Sequence, residues 1–309
     1  MRNLIVLLAL CLATTVPVHA RKPLIGGPKT IALDANGNIP QKVVKAQMGM
    51  GGYLKGAKQI AVPLVAVAFE SSATAAVSNR STGASMVSTS SKSLKLRLSL
   101  DEKVMQDICD QLQAMVEKDL VAEGFEILPN TSIDQEPRWL GITKNEPTGV
   151  EVGDNFMSGF AGNGMKNIWY TAGKRPLFGT GSTGALSELS PLIRTAREKK
   201  ISLLFYRFKV QFADVDANKG VFFSSIKGEN VLHMVSADCA VFTPANTLGG
   251  MLRLGDNITA GADYVREMKG AAGEGNYVIV ADPERYSADA LRLIHATSKQ
   301  MAQALRAAQ

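Results

Sequence analysis

The chain has 309 residues, of which 46% are hydrophobic and 20% are charged, and its formal net charge is +6. This length is enough for a large hydrophobic core in one domain or in two small ones. The basic residues are interspersed with acids and no nucleic-acid-binding motif accompanies them, which argues against a nucleic-acid partner.

The first 20 residues have the organisation of a secretory signal peptide. Arg2 supplies a positive charge, and residues 4–12 form an apolar stretch that is too short to span a bilayer at ~1.5 Å per residue. Val18 and Ala20 place small residues where a signal peptidase requires them. We therefore expect residues 1–20 to be removed and the mature protein to be exported, to the periplasm or out of the cell, without a transmembrane segment.

Strands and helices are mixed in the first half of the mature chain. Residues 64–69 form a short apolar strand. Residues 71–93 contain few large apolar side chains and cannot bury enough surface to offset the entropy of ordering, so we predict a mobile loop. Over residues 94–100, leucines alternate with polar residues such as Lys95 and Arg97, which predicts a half-buried strand.

A long helix is predicted over residues 101–123. Ser99 and Glu102 match a capping box, apolar residues recur at helical spacing, and Gly124 is a typical stop. Residues 134–184 are rich in glycine, asparagine and threonine and show no period. Such a long irregular segment is either functional or mobile.

The second half of the chain contains the clearest strand pattern, at residues 201–213. A turn at 214–220, a return strand at 221–225 and a third strand at 231–242 follow it. Because short turns cannot make parallel crossovers, this order predicts an antiparallel meander.

Two more helices complete the predicted fold. Residues 185–200 have a helical pattern, and Asp282 and Pro283 are a good N-cap and first residue for a helix over 284–307. We therefore predict an α+β fold for residues 21–309 as a single domain, in which three main helices cover an antiparallel sheet.

Residues 179–184 read GTGSTG and fit the spacing G-x-G-x-x-G. A dinucleotide fingerprint also needs a buried strand before it and an acidic residue about 20 positions later. The preceding residues carry a proline and two cations, and no acid lies near residue 204. A glycine-rich turn is the better interpretation, and no cofactor is predicted.

A weak match to a calcium loop lies at Asp214, Asp216 and Asn218. An EF-hand requires glycine at position 6 and glutamate at position 12, whereas Lys219 and Ser225 stand there. Asp and Asn are also the ordinary residues of a hairpin turn, so no metal is predicted.

The histidines and cysteines do not form a recognisable catalytic motif. His233 and His295 are expected to be packing residues. Cys109 and Cys239 are either a disulfide, which an oxidising compartment permits, or two buried free thiols, and both alternatives stay open. A non-enzymatic role is the preferred interpretation, and a secreted hydrolase that uses a pair of carboxylates is an alternative.

The segment 153–184 combines aromatic and basic side chains among glycines. These residues form either a contact surface or an irregular loop whose aromatics fill the core. The candidates are Phe156, Phe160, Lys166, Trp169, Tyr170, Lys174 and Arg175.

We predict an exported binding or assembly protein of the cell envelope. Its partner is an unknown envelope protein or a small ligand, and formation of a homo-oligomer stays open. The order of signal peptide, strand, long helix ending in glycine, strand, meander and terminal helix resembles the curli-secretion type of envelope protein, in layout and without a shared motif. The lipidated cysteine common in that type is missing, because the large Leu10 precedes Cys11. This resemblance implies an oligomeric envelope secretion or assembly component.

Overall fold

The computed structural model describes residues 29–47, 59–82, 87–134, 148–153, 165–175, 177, 194–219, 224–244, 250–261, 263–270 and 275–309. The first strands and helices in these ranges are β1 (Thr30–Ala32), β2 (Val44–Gln47), β3 (Gln59–Thr82), β4 (Val87–Ser99), α1 (Glu102–Ala122), β5 (Glu126–Ile127), α2 (Thr131–Asp134), β6 (Glu151–Gly153) and β7 (Lys166–Thr171). They are followed by α3 (194–199), β8 (Ser202–Gln211), β9 (Asp214–Lys219), β10 (Ser224–Glu229), β11 (Leu232–Phe242), β12 (Gly250–Leu254), β13 (Asn257–Gly261), β14 (Val265–Lys269), β15 (Asn276–Ala281) and α4 (Pro283–Ala307).

The described strands form one large mixed sheet and one separate hairpin. The main path of the sheet runs β1-β13-β11-β8-β3-β4-β15-β14, while β9 and β10 pair with each other. Four pairs are parallel: β1 with β13, β3 with β5, β3 with β8, and β4 with β15. The prediction of an antiparallel sheet under three helices is therefore wrong. The turn argument applies to consecutive strands, whereas these parallel pairs join segments that are far apart in the chain.

The predicted meander is also wrong. β8 pairs antiparallel with β11 directly, from Gln211 opposite His233 to Leu203 opposite Phe242. The residues between these strands leave the sheet as β9 and β10, so the segment predicted as a turn is itself a strand.

The helices predicted at 101–123 and 284–307 are present as α1 and α4. Asp101, rather than Ser99, caps α1 by accepting a hydrogen bond from the Lys103 N–H at 2.7 Å. Asp282 caps α4 as expected and accepts from two backbone N–H groups. Of the helix predicted at 185–200, residues 194–199 are helical, Lys200 forms a turn, and residues 185–193 lie outside the described residues.

Two hydrophobic clusters lie on opposite faces of β3, because its side chains alternate between them. Val65 and Val67 belong to the larger cluster, which α1 and α4 cover. Leu64 and Ala66 belong to the smaller cluster, which includes side chains of α2 and α3. The central strand β3 is therefore buried on both faces, which explains its nearly continuous apolar sequence.

The loop predicted over 71–93 is contradicted over most of its length. Residues up to Thr82 continue β3, and residues from Val87 belong to β4, paired from Ser72 opposite Arg97 to Thr82 opposite Val87. The backbone ladder forms here although the sequence of this segment contains few large apolar residues. Of the irregular segment 134–184, the described part also contains strands, β6 and β7.

The expected signal peptide lies outside the described residues, because the description begins at Lys29. No helix in the described part of the chain has the length and apolar character needed to cross a membrane.

Candidate functional site: the root of two β-hairpins

The central strand β3 exchanges its partners near Glu70. Up to that point β3 pairs with β8, whose last contact is Val210 opposite Phe69, and with β7, where the register shifts between Glu70 and Ser72. Beyond Ser72 its partner is β4. A bulge at the border of a sheet is a common device for redirecting a strand.

From Ala75 and Leu94 outward, β3 and β4 pair only with each other among the described residues. We call residues 75–82 and 87–94 the long hairpin. At ~3.3 Å per residue it extends the sheet by roughly 25 Å. It is a two-stranded ribbon, in contrast to the many-stranded sheet from which it starts.

A second ribbon starts at the same level of the sheet. β8 ends at Gln211, and β9 begins at Asp214 after two residues. We call β9 and β10 the short hairpin; its ladder runs from Asp214 opposite Glu229 to Lys219 opposite Ser224. The short hairpin lies beside β3 and β4 without belonging to their sheet.

The side chain of Glu70 holds the root of the short hairpin. Glu70 is 0% exposed. Its Oε2 accepts a hydrogen bond from the Phe212 N–H at 3.3 Å, and the Ala213 N–H also donates to this carboxyl group. Phe212 and Ala213, which connect β8 to β9, are therefore hydrogen-bonded to Glu70, at the point where β3 exchanges its partners.

The backbone carbonyl of Phe212 accepts a hydrogen bond from a second side chain. The Tyr264 hydroxyl, which lies between β13 and β14, donates to it. The Tyr264 ring meets Tyr286 of α4 edge-on with centroids 5.6 Å apart, and Tyr286 packs at 6.4 Å from Phe69. Two side chains from separate segments, Glu70 and Tyr264, therefore fix the backbone of Phe212, and Tyr286 packs against Tyr264.

Burial dominates the electrostatics of this root. It raises the pKa of Glu70 from 4.5 to about 8, although Lys209 and the Phe212 and Ala213 N–H groups act in the opposite direction. Asp214 raises this pKa further. Glu70 Oε1 has no hydrogen-bond partner within the described residues, an arrangement that favours the neutral carboxyl group.

The two tyrosines respond to the same burial. Desolvation raises the pKa of Tyr264 and Tyr286 above the ordinary value, and the neighbouring Glu70 raises both pKa values further. Both hydroxyl groups stay neutral. The Tyr264 hydroxyl donates to Phe212, whereas the Tyr286 hydroxyl has no hydrogen-bond partner within the described residues.

The predicted contact residues near 153–184 divide between the surface and the core. Lys166 is exposed and forms an ion pair with Glu151 at 2.7 Å. Trp169 is partly buried against the smaller cluster. Tyr170 is buried and meets Phe69 edge-on at 6.1 Å, so this aromatic residue fills the core.

The last candidates of that segment lie after β7. Lys174 is exposed and has a positive φ of 52°. Arg175 forms an ion pair with Asp134 at 2.7 Å and donates to the Pro63 carbonyl at 3.2 Å. Phe156 and Phe160 lie outside the described residues.

The calcium candidates lie in strand β9 rather than in a loop. Asp214 is exposed at its start, while Asp216 and Asn218 pair with Lys227 and Ser225. A ladder position does not provide the curved loop of an EF-hand. Among the described residues, no three histidine, cysteine or acidic side chains come together as a metal site.

Cys109 and Cys239 are free, buried thiols in the structure. Cys109 lies on α1 and Cys239 on β11. Burial raises the pKa of each thiol above its ordinary value. The disulfide alternative is therefore not realised in this structure.

The histidines serve the core and a helix contact. His233 is buried in β11. His295 Nε2 lies 3.1 Å from Asp119 Oδ1, and the Ser298 hydroxyl donates to Asp119 Oδ2 at 2.7 Å. These bonds join α4 to α1.

The sequence offered one signal for the hairpin root. Glu70 is the single charged residue in the run from Ile60 to Glu70, which is otherwise almost entirely apolar. Because Glu70 is fully buried, it cannot contact a substrate and does not favour the hydrolase alternative.

Comparisons with protein-family models, with curated proteins and with solved structures find no match to this chain.

Proposed function

We propose that the protein is a non-enzymatic assembly protein of the cell envelope, and that the long and short hairpins are its contact elements. The observation that carries this proposal is the departure of both hairpins from one side-chain-anchored root. The partner that fits them first is a second copy of the same chain.

The stability of ribbons supports a partner for the long hairpin. A two-stranded ribbon alone is marginally stable in water. The short hairpin lies beside the long one, but among the described residues no third strand pairs with the long hairpin. In the described part of the chain, residues 87–94 pair on one side only. Their other edge offers backbone N–H and C=O groups that another strand can pair with.

The anchored root supports the same proposal. Fixing the Phe212 backbone through Glu70 and Tyr264 lowers the number of directions in which the short hairpin can leave the sheet. A contact element whose direction is set beforehand loses less entropy when it binds. Export and location in the envelope rest on the leader sequence and are part of the proposal.

The test is sedimentation velocity of the mature chain and of two shortened variants. In the first, an Asn-Gly turn joins Ala75 directly to Leu94, which are opposite residues of the ladder. In the second, the same turn joins Asp214 to Glu229. Both cuts keep the register of the remaining strands, so the body should stay folded, which far-ultraviolet circular dichroism checks.

The proposal predicts an oligomer for the mature chain and a smaller species for each shortened variant. The matched control is Lys118→Gln on the exposed side of α1, which should sediment like the unchanged protein. A monomer at all concentrations, or one unchanged oligomer in all four proteins, contradicts the proposal.

A further inference from the structure

An open cleft lies where β4, β15 and the end of β14 meet, and its volume is about 420 Å³. We call it the basic cleft. Its lining residues are Lys95, Arg97, Lys269, Gly270, Asn276 and Tyr277, with Val278. The established pairing of the strands gives the relative positions of these residues.

The strand register places the apolar side chain of Val278 between two cations, Arg97 and Lys269. Val278 is opposite Arg97 on β4 and opposite Lys269 on β14. Neighbouring strands are ~4.8 Å apart, so Arg97 and Lys269 start about 10 Å from each other across Val278. Lys95 is two residues before Arg97 and is exposed like it, while Leu96 between them is buried.

Two glycines with positive φ allow the backbone to close around the cleft. At Gly270, with a φ of 150°, an added Cβ would lie 2.5 Å from the Asn276 carbonyl oxygen and 2.8 Å from the Tyr277 ring. At Gly275, with a φ of 69°, it would collide with the Ser93 carbonyl. The close approach of the neighbouring backbone at both positions therefore requires a residue without a side chain.

The charge of the cleft is unbalanced. Its described lining contains three cations and no carboxylate. Lys269 Nζ lies 3.5 Å from Glu267, but both side chains are more than half exposed, so this contact is weak. Glu151 acts on Arg97 only at a distance, since its direct partners are Lys166 and Ser71.

We propose that the basic cleft binds a phosphate ester. The phosphate oxygens lie between Lys95, Arg97 and Lys269, and the organic part packs over Val278, whose neighbour Tyr277 pairs with Leu96 and turns to the core face. Val278 is 37% exposed, which is large for a valine within a sheet, and the ligand would cover it. Arginine is suited to phosphate because its planar fork donates two parallel hydrogen bonds.

A phosphate ester fits better than a simple carboxylate or inorganic phosphate. The three cations that line the cleft can each contact one of the three outer oxygens of a phosphomonoester, whereas a carboxylate has two oxygens. The volume also exceeds what a bare phosphate ion needs, and the apolar side chain of Val278 favours a carbon-containing group. The same chemistry is found in soluble phosphate esters and in the headgroups of anionic lipids, and the experiment separates the two.

The test uses the mature protein with two probes. Glycerol 3-phosphate is titrated by isothermal calorimetry, and vesicles of phosphatidylglycerol in phosphatidylcholine are tested by flotation. The variants are Lys95→Gln, Arg97→Gln and Lys269→Gln, which are exposed positions that should not affect folding. Lys118→Gln on α1 is the control, because it removes the same charge outside the cleft.

We expect each cleft variant to weaken binding about tenfold, since a hydrogen bond to a charged group corresponds to about that factor. The control variant should bind like the unchanged protein. Binding of glycerol 3-phosphate identifies a soluble ester as the ligand, and binding of the vesicles alone identifies a lipid headgroup. No binding of either probe, or equal binding by all variants, overturns the proposal. Because shortening the hairpins leaves this cleft in place, its outcome is independent of the assembly test.

Discussion

Replacing Glu70 with glutamine tests the buried hairpin root through its response to pH. Glutamine has nearly the same size as glutamate, and its carbonyl oxygen can accept the Phe212 N–H as Glu70 Oε2 does. It cannot ionise. The substitution therefore keeps the packing of the root and removes its titration.

The magnitude follows from the difference between the folded and the unfolded pKa. In the unfolded chain Glu70 ionises near 4.5, whereas the folded protein holds its proton up to about 8. Between these values unfolding releases a proton, so the free energy of unfolding decreases as the pH rises. At about 1.4 kcal/mol per pKa unit, the total loss is about 5 kcal/mol, and the stabilisation is fully present only below pH 4.5.

The assay is urea denaturation of the unchanged protein and of Glu70→Gln at half-unit steps from pH 5 to pH 9. The free energy of unfolding of the unchanged protein should fall relative to that of the variant by several kcal/mol, and the decline should stop near pH 8. Glu151→Gln is the control, because hydrogen bonds from Lys166 and Ser71 lower the pKa of this carboxyl group and place its titration below the tested range. Parallel pH profiles for the unchanged protein and Glu70→Gln would refute the reasoning.

Three further substitutions, with Val121→Ala as an exposed control, test the packing around the root and within the sheet. Tyr264→Phe removes the hydrogen bond to a buried carbonyl of the hairpin root, and we expect a loss of about 1–3 kcal/mol in urea denaturation; unchanged stability would contradict the role of this hydroxyl. Phe69→Ala leaves a cavity in the core and should lower the free energy of unfolding by about 3–5 kcal/mol. Val121→Ala, at a position that is 56% exposed, should change it by less than about 0.5 kcal/mol. Equal effects of the two substitutions would contradict the burial of Phe69. Asp238→Ala breaks the partly buried ion pair with Arg207, whose nearest atoms are 3.2 Å apart, and should lower the free energy of unfolding by about 1–3 kcal/mol. A smaller loss than in Val121→Ala would contradict a stabilising pair.

The two long helices were predictable because their signals are local. The spacing of apolar residues in α1 and the Asp282–Pro283 start of α4 lie within a few residues of the elements that they define. The cap of α1 was assigned two residues too early, since Ser99 and Asp101 are both acceptable capping residues.

The pairing of the sheet was not predictable from the same signals. β3 lies beside β8, which is more than 100 residues later in the chain, and no local pattern specifies this parallel partner. The segment from Ser71 to Ser93 has weak hydrophobicity, so composition predicted a loop where the backbone ladder forms the long hairpin. Its ordering depends on a neighbouring strand, which a single-segment argument does not include.

The hairpin root was missed for a related reason. Burial sets the chemical state of Glu70, and the Phe212 and Ala213 N–H groups that donate to it come from more than 140 residues later in the chain. In the sequence, Glu70 is an acidic residue at the end of an apolar run and before two serines. The solvent-exposed end of a strand would show the same pattern as this buried position.

Hydrogen exchange of the long hairpin tests the central claim most directly. Backbone amides of residues 75–82 and 87–94 are compared between the assembled protein and the protein diluted until it dissociates, with mass-spectrometric detection. If the hairpins are contact elements, these amides exchange slowly in the assembly and fast in the dissociated protein, while the amides of α1 exchange alike in both. Equal exchange of the hairpin amides in the two states would contradict the account.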